Sequence, residues 1–171
     1  MPAERVDRNL FRVLLHRPRV AKAINDLLYA QRFGAALDGR LRELAIMRIG
    51  WMTGCEYEWT QHWTVAQTAF GCGPNDLLAV RDWRQAQRIG EVERAVLTAT
   101  DETLASGTLS ADTWALCRRQ LGSADACLEL AAVIATWHLI SQVARSLEIP
   151  VEDGVAFWPP DGVAPAGPAE S

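Results

Sequence analysis

Apolar residues return at spacings of three and four along most of the chain, the period of an amphipathic helix. Residues 7–16 and 21–33 carry this pattern on either side of Arg17-Pro18, and Gly34 punctuates the second, so the chain is expected to open with a pair of helices. In residues 40–53, RLRELAIMRIGWMT, the apolar positions run almost all the way round, as they do in a helix buried on every side. Thr53-Gly54 breaks it. A fourth helix is predicted from Cys55 to Phe70, stopped by Gly71 and Gly73, with Pro74 opening a short segment, NDLLAVRDW. Residues 90–105 and 110–121 supply two more, the latter capped by Ser110, and residues 125–147 a long, alanine-rich one. No run of alternating β-branched residues bounded by turn signals interrupts the series. The expected fold is therefore all-α, a single-domain helical bundle of about seven to eight helices spanning residues 1–158. Residues 159–171 hold four prolines and two glycines and are expected to form a loosely ordered tail outside it.

Composition narrows the function. With 171 residues, 49% of them hydrophobic, the chain can bury a full core as one domain. The net charge of -4 comes with no concentration of Lys and Arg, which argues against nucleic-acid partners. The N-terminal residues MPAERVDRNLFRVL lack the continuous apolar core of a secretory signal, and a cytoplasmic location is the expectation. The longest apolar stretch, residues 126–140, is interrupted by Glu129, Thr136 and His138 and falls short of the roughly 20 residues that cross a bilayer. No membrane partner is expected. The four cysteines are then expected to be free thiols, structural or catalytic.

The candidate chemistry sits in the octapeptide Cys55-Glu56-Tyr57-Glu58-Trp59-Thr60-Gln61-His62. On a helix, Cys55, Glu58, Trp59 and His62 share one face, which brings a thiol, a carboxylate and an imidazole beside an aromatic ring. Glu43 stands twelve residues before the cysteine, on the apolar stripe Glu43, Ile46, Met47, Gly50, where burial raises a carboxyl pKa; the competing reading is a surface charge paired with Arg40 or Arg48. Glu58 and His62, four apart, can pass a proton at neutral pH. Met47, Trp51, Tyr57, Trp59 and Trp63 are candidates for the wall of a mostly apolar substrate pocket, while Trp83, Trp114 and Trp137 are assigned to the core. No metal-ligand spacing and no glycine-rich phosphate loop is present, so neither metal nor cofactor is expected.

Residues 41–62, LRELAIMRIGWMTGCEYEWTQH, resemble the carboxymuconolactone decarboxylase superfamily, which also contains alkylhydroperoxidase D. In the peroxidase branch a glutamate stands twelve residues before the first cysteine of a CxxC pair and a histidine seven after it, positions held here by Glu43, Cys55 and His62. Glu58 replaces the second cysteine, so the local dithiol that resolves a sulfenic acid is missing. The resemblance implies Glu43, Cys55, Glu58 and His62 as catalytic residues, a small-molecule substrate, and a homo-oligomer, trimer or hexamer. With Glu58 in place of cysteine, the preferred reading is acid-base chemistry, decarboxylation or proton transfer, on a small carboxylic acid, lactone or enolisable compound. The alternatives are a thiol peroxidase using Cys55 and a non-catalytic ligand-binding protein. Glu56 and Glu58 oppose ionisation of Cys55, whose thiol is expected to be less acidic than in CxxC relatives.

Overall fold

A computed structural model of the protein describes residues 7–166, and among them there are eight α-helices, one turn of 3-10 helix at Val80–Asp82 and no strand. In chain order the helices are α1 (Asn9–Leu14), α2 (Pro18–Ala30), α3 (Gly39–Thr53), α4 (Glu56–Phe70), α5 (Pro74–Ala79), α6 (Glu91–Ser106), α7 (Ala111–Leu121) and α8 (Ala124–Ser146). Helix α2 begins three residues before its expected start. Pro18 occupies its first turn, where a fixed φ suits the helix and the missing N–H would have had no partner.

Helix α3 is the axle of the bundle. The Asp38 side chain caps it by accepting from the N–H groups of Arg40 and Leu41 at 3.0 and 3.1 Å. Every residue from Leu41 to Gly50 is buried, as the all-round apolar pattern predicts, and the helix packs against α4, α6 and α8. Two glycines set the junction with α4. Gly54 ends α3 in the left-handed region at φ 66°, and the Cys55 N–H returns to the Gly50 carbonyl at 2.8 Å. A Cβ on Gly50 would stand 3.1 Å from the Trp59 nitrogen, so the bare backbone lets α4 lie close against α3.

The tight packing of α3 buries charge as well as carbon. Arg48 donates to both Asp101 oxygens at 2.6 and 3.0 Å and to the carbonyls of Val80 and Arg81 at 2.8 and 2.9 Å. Trp83 Nε1 donates to Asp101 at 3.1 Å, and the Arg84 guanidinium lies 2.8 Å from the same carboxylate. Burial pushes the Asp101 carboxyl up, but the Arg48 hydrogen bonds and charge outweigh it and hold the group below the usual carboxylate range.

Helix α8, at 23 residues, is long and apolar enough to cross a membrane by length and composition alone, yet half of its most apolar window is buried against the rest of the bundle. It is a core helix, packed on α3, α4, α6 and α7. The expected tail departs from prediction over its first part. Trp158 is buried in a core with Trp59 and Leu77, the Trp59 indole donates to the Pro159 carbonyl at 2.8 Å, and Asp161 forms a two-pronged pair with Arg81 at 2.8 and 2.9 Å. One anchoring tryptophan thus ties a Pro-rich segment to the domain; residues 167–171 lie outside the described residues.

Candidate active site

Glu43, on the second turn of α3, is almost fully buried, and its Oε2 lies 2.7 Å from Nδ1 of His62 on α4. Its other oxygen meets Arg42 at 3.5 Å. Arg42 is also buried, donating to the Gln31 carbonyl at 2.9 Å and lying 4.5 Å from the centre of the Phe70 ring. The pairing of Glu43 with Arg40 or Arg48 does not form: Arg40 bonds Glu93 and Asp76, and Arg48 bonds Asp101.

The second nitrogen of His62 is also engaged. The Trp137 indole N–H donates to His62 Nε2 at 3.0 Å, with the two rings edge to face. An indole nitrogen can only donate, so Nε2 holds a lone pair and the ring proton sits on Nδ1, directed at the Glu43 carboxylate. When the ring is neutral, these two contacts fix one tautomer. Trp137 is therefore more than a core residue.

Glu58 and His62 do not bond each other. Instead α8 runs antiparallel to α4 and offers each a partner: Trp137 meets His62, and Ser141, four residues on, donates to Glu58 Oε2. Burial pushes the Glu58 carboxyl well above its usual range, and the Ser141 hydrogen bond only partly opposes this. Its Oε1 is buried without a partner, and there a neutral carboxyl can carry its proton.

Cys55 caps the start of α4 at 1% exposure and does not share a cavity with His62. It lines a separate recess of about 240 Å³ with Arg145 and Glu148. Burial first, and the Glu58 carboxyl second, push its thiol up to about 12. Cys72 and Cys117 are each pushed up to about 11, burial again leading, and Cys127 is raised too. All four thiols are free and buried. At pH 8 the folded protein is accordingly expected to release less than one equivalent of thionitrobenzoate from a disulfide reagent while the unfolded chain releases four; rapid reaction of Cys55 in the native state would contradict this geometry.

A cavity of about 440 Å³ opens over the dyad. Glu43, Glu58, His62 and Trp137 form its polar floor, Phe11, Leu28, Phe33, Val65 and Ile140 line its sides, and Arg8, Arg32 and Arg42 bring guanidinium groups to it. Arg32 is exposed and lies 5.6 and 5.7 Å from the ring centres of Phe33 and Phe70, with no carboxylate bonded to it among the described residues. Of the expected substrate wall only Tyr57 lines this cavity, where it accepts from the Leu10 N–H at 3.3 Å and donates to Glu152 at 3.0 Å. Met47, Trp51, Trp59 and Trp63 lie elsewhere, in the core between α3, α4 and α5. There the Trp51 and Trp59 rings are 5.4 Å apart and the Arg81 guanidinium lies 4.7 and 4.9 Å from their centres. The apolar surface of these rings is consumed in closing the bundle on its C-terminal segment.

Comparison with known proteins agrees with this architecture. Residues 18–102 match the family model described as the carboxymuconolactone decarboxylase family. Among solved structures, the alkylhydroperoxidase AhpD core of an uncharacterised peroxidase-related protein from Ralstonia eutropha JMP134 is similar at 20% identity and a TM-score of 0.77, over 92% of this chain and 82% of that one. The putative antioxidant defence protein AhpD ATU0492 from Agrobacterium tumefaciens, a protein of unknown function, is similar at 22% identity and a TM-score of 0.70, over 82% and 97% of the two chains. The debrominase Bmp8, in a cysteine-to-alanine form in complex with 2,3,4-tribromopyrrole, is similar at 19% identity and a TM-score of 0.73, over 85% and 78%. No curated protein matches by sequence. At these identities the structural likeness speaks for the fold.

Proposed function

This chain belongs to the carboxymuconolactone decarboxylase family, and from that premise we propose that it is an acid-base enzyme acting on a small carboxylic acid, lactone or enolisable carbonyl compound, with His62 as the proton-transferring group. The observation that carries this reading is the buried Glu43–His62–Trp137 chain opening into the 440 Å³ cavity from which Cys55 is absent. In the proposed reaction Nε2 takes the proton next to the substrate carbonyl, the electron pair moves onto the carbonyl oxygen, and Glu43 stabilises the imidazolium through Nδ1. The neutral carboxyl of Glu58 hydrogen-bonds the developing enolate. The proton returns from Nε2 to a second carbon in an isomerisation. In a decarboxylation the carbon–carbon bond breaks, carbon dioxide leaves, the electron pair forms the enolate, and His62, having taken a proton from bulk water at Nε2, gives it to the vacated carbon.

The lining supports the substrate class. Apolar side walls suit a small ring, and Arg32, without a carboxylate partner among the described residues, supports a substrate carboxylate at the mouth. That the similar debrominase is in complex with 2,3,4-tribromopyrrole supports a small ring as the size of ligand. A thiol peroxidase fits less well, because Cys55 is protonated, buried and outside the cavity. The test is a panel of β-keto acids and unsaturated lactone acids, each beside its methyl ester, assayed with hydroperoxide consumption in parallel. Turnover of an acid, with the ester poorer, is the expected result; thiol-dependent loss of hydroperoxide with no acid consumed would overturn the proposal.

A further inference from the structure

Trp137 occupies the one atom of His62 that the proposed chemistry needs. The imidazole Nε2 has a single lone pair, in the ring plane, and the indole N–H takes it at 3.0 Å. Trp137 is 8% exposed and lines the same cavity, so the bond lies on the cavity wall rather than deep in the core. When Nε2 gains a proton it becomes a donor facing a donor, and the bond cannot survive. The bond between Glu43 and Nδ1 survives in both states, because Nδ1 donates in each.

We propose that Trp137 is a positioning residue that caps the base in the empty cavity and is released when His62 takes a proton. In the empty site the indole occupies the Nε2 lone pair, and the proton of the neutral ring sits on Nδ1. On proton transfer the freed N–H turns to the nearest new acceptor, the oxygen on which substrate charge has developed. The capping bond stands on geometry alone; the second half rests on the proton-transfer function proposed above. The charged and titratable groups that line the cavity with His62 are Glu43 and Arg42 from α3, Tyr57 and Glu58 from α4 itself, Tyr29 from α2, Arg8 ahead of α1 and Arg32 beyond α2. Helix α8 adds Trp137 and Ile140 to the lining and no charge.

The test uses ligand-free protein labelled with 15N and needs no substrate. The wild type is expected to show a neutral His62 protonated on Nδ1, with a through-bond nitrogen–nitrogen coupling between Trp137 Nε1 and His62 Nε2, signals assigned by their loss in His62→Gln. In Trp137→Phe the coupling disappears and the His62 Nε2 resonance moves downfield, toward that of an imidazole nitrogen with no donor on its lone pair, because that hydrogen bond is lost. A His62 protonated on Nε2, or a wild-type spectrum without the coupling, would overturn the cap whatever the fate of the variant. An unchanged Nε2 resonance in a folded Trp137→Phe would overturn its hold on the base. If both results hold and no acid on the panel is turned over, the cap stands and the function proposed for the site fails.

Discussion

On the proposed acid-base function, replacing His62 by Gln is expected to lower kcat on an acid substrate by a factor of about 100 to 10,000, the range that a positioned general base contributes, with little change in the thermal midpoint. Glutamine can still meet Glu43 or Trp137 with its amide, so the fold keeps its polar contacts while the site loses its titratable nitrogen. The size of the effect follows from the surroundings. Both ring nitrogens are engaged, at 2.7 Å to Glu43 and 3.0 Å to Trp137, so the imidazole is held in one orientation and one tautomer before substrate arrives. Steady-state turnover beside a thermal melt checks the prediction. A variant that retains wild-type kcat would move the chemistry away from this dyad.

The largest effect on stability is expected from Arg48→Met. Arg48 is 5% exposed and holds together Asp101 and the carbonyls of Val80 and Arg81 at the turn that follows α5. Methionine fills much of the volume but leaves the half-buried Asp101 carboxylate with Arg84 and Trp83 alone, at a cost of about 3 kcal/mol, the low end for a pair that loses one partner. For a domain of this size the thermal midpoint falls on the order of 10 °C. The sign of the pH dependence follows from Asp101. Its carboxyl is held below its usual range in the folded protein, so the stabilisation is complete above the unfolded value of about 3.9 and is lost as pH falls through the lower folded value. The gap between wild type and variant is therefore widest at neutral pH and narrows in acid. A gap that widened below pH 4 would contradict the pairing.

The helices were legible because their ends carry local chemistry. Gly54, Gly71, Gly107 and Gly122 each stop a helix in the left-handed region, and Ser110 caps α7 as its position suggested. The dyad was legible in part: Glu43 and His62 were both candidates, and their contact joins two helices adjacent in sequence. The substrate wall was not. At about 100° per residue, Glu58, His62 and Trp59 fall within a single broad arc of α4. That arc straddles two environments, the cavity on the side of Glu58, Val65 and Ala69 and the closed aromatic core on the side of Trp59 and Trp63. Which side was open depended on where α8 and the C-terminal segment packed. Trp137 was missed for the same reason, since its bond to His62 spans 75 residues of chain. Glu58 was a candidate by its motif, while the upward push on its carboxyl comes from burial under the helices around it, which no spacing within α4 encodes.

The central claim is that proton transfer at His62, rather than sulfur chemistry at Cys55, is what this site does. Its most direct test is kcat/KM for Cys55→Ser on the acid substrate, measured beside wild type and His62→Gln in one experiment. Activity of Cys55→Ser within a few-fold of wild type, with His62→Gln nearly inactive, is the predicted result; loss of activity in a folded Cys55→Ser as complete as in His62→Gln would contradict it.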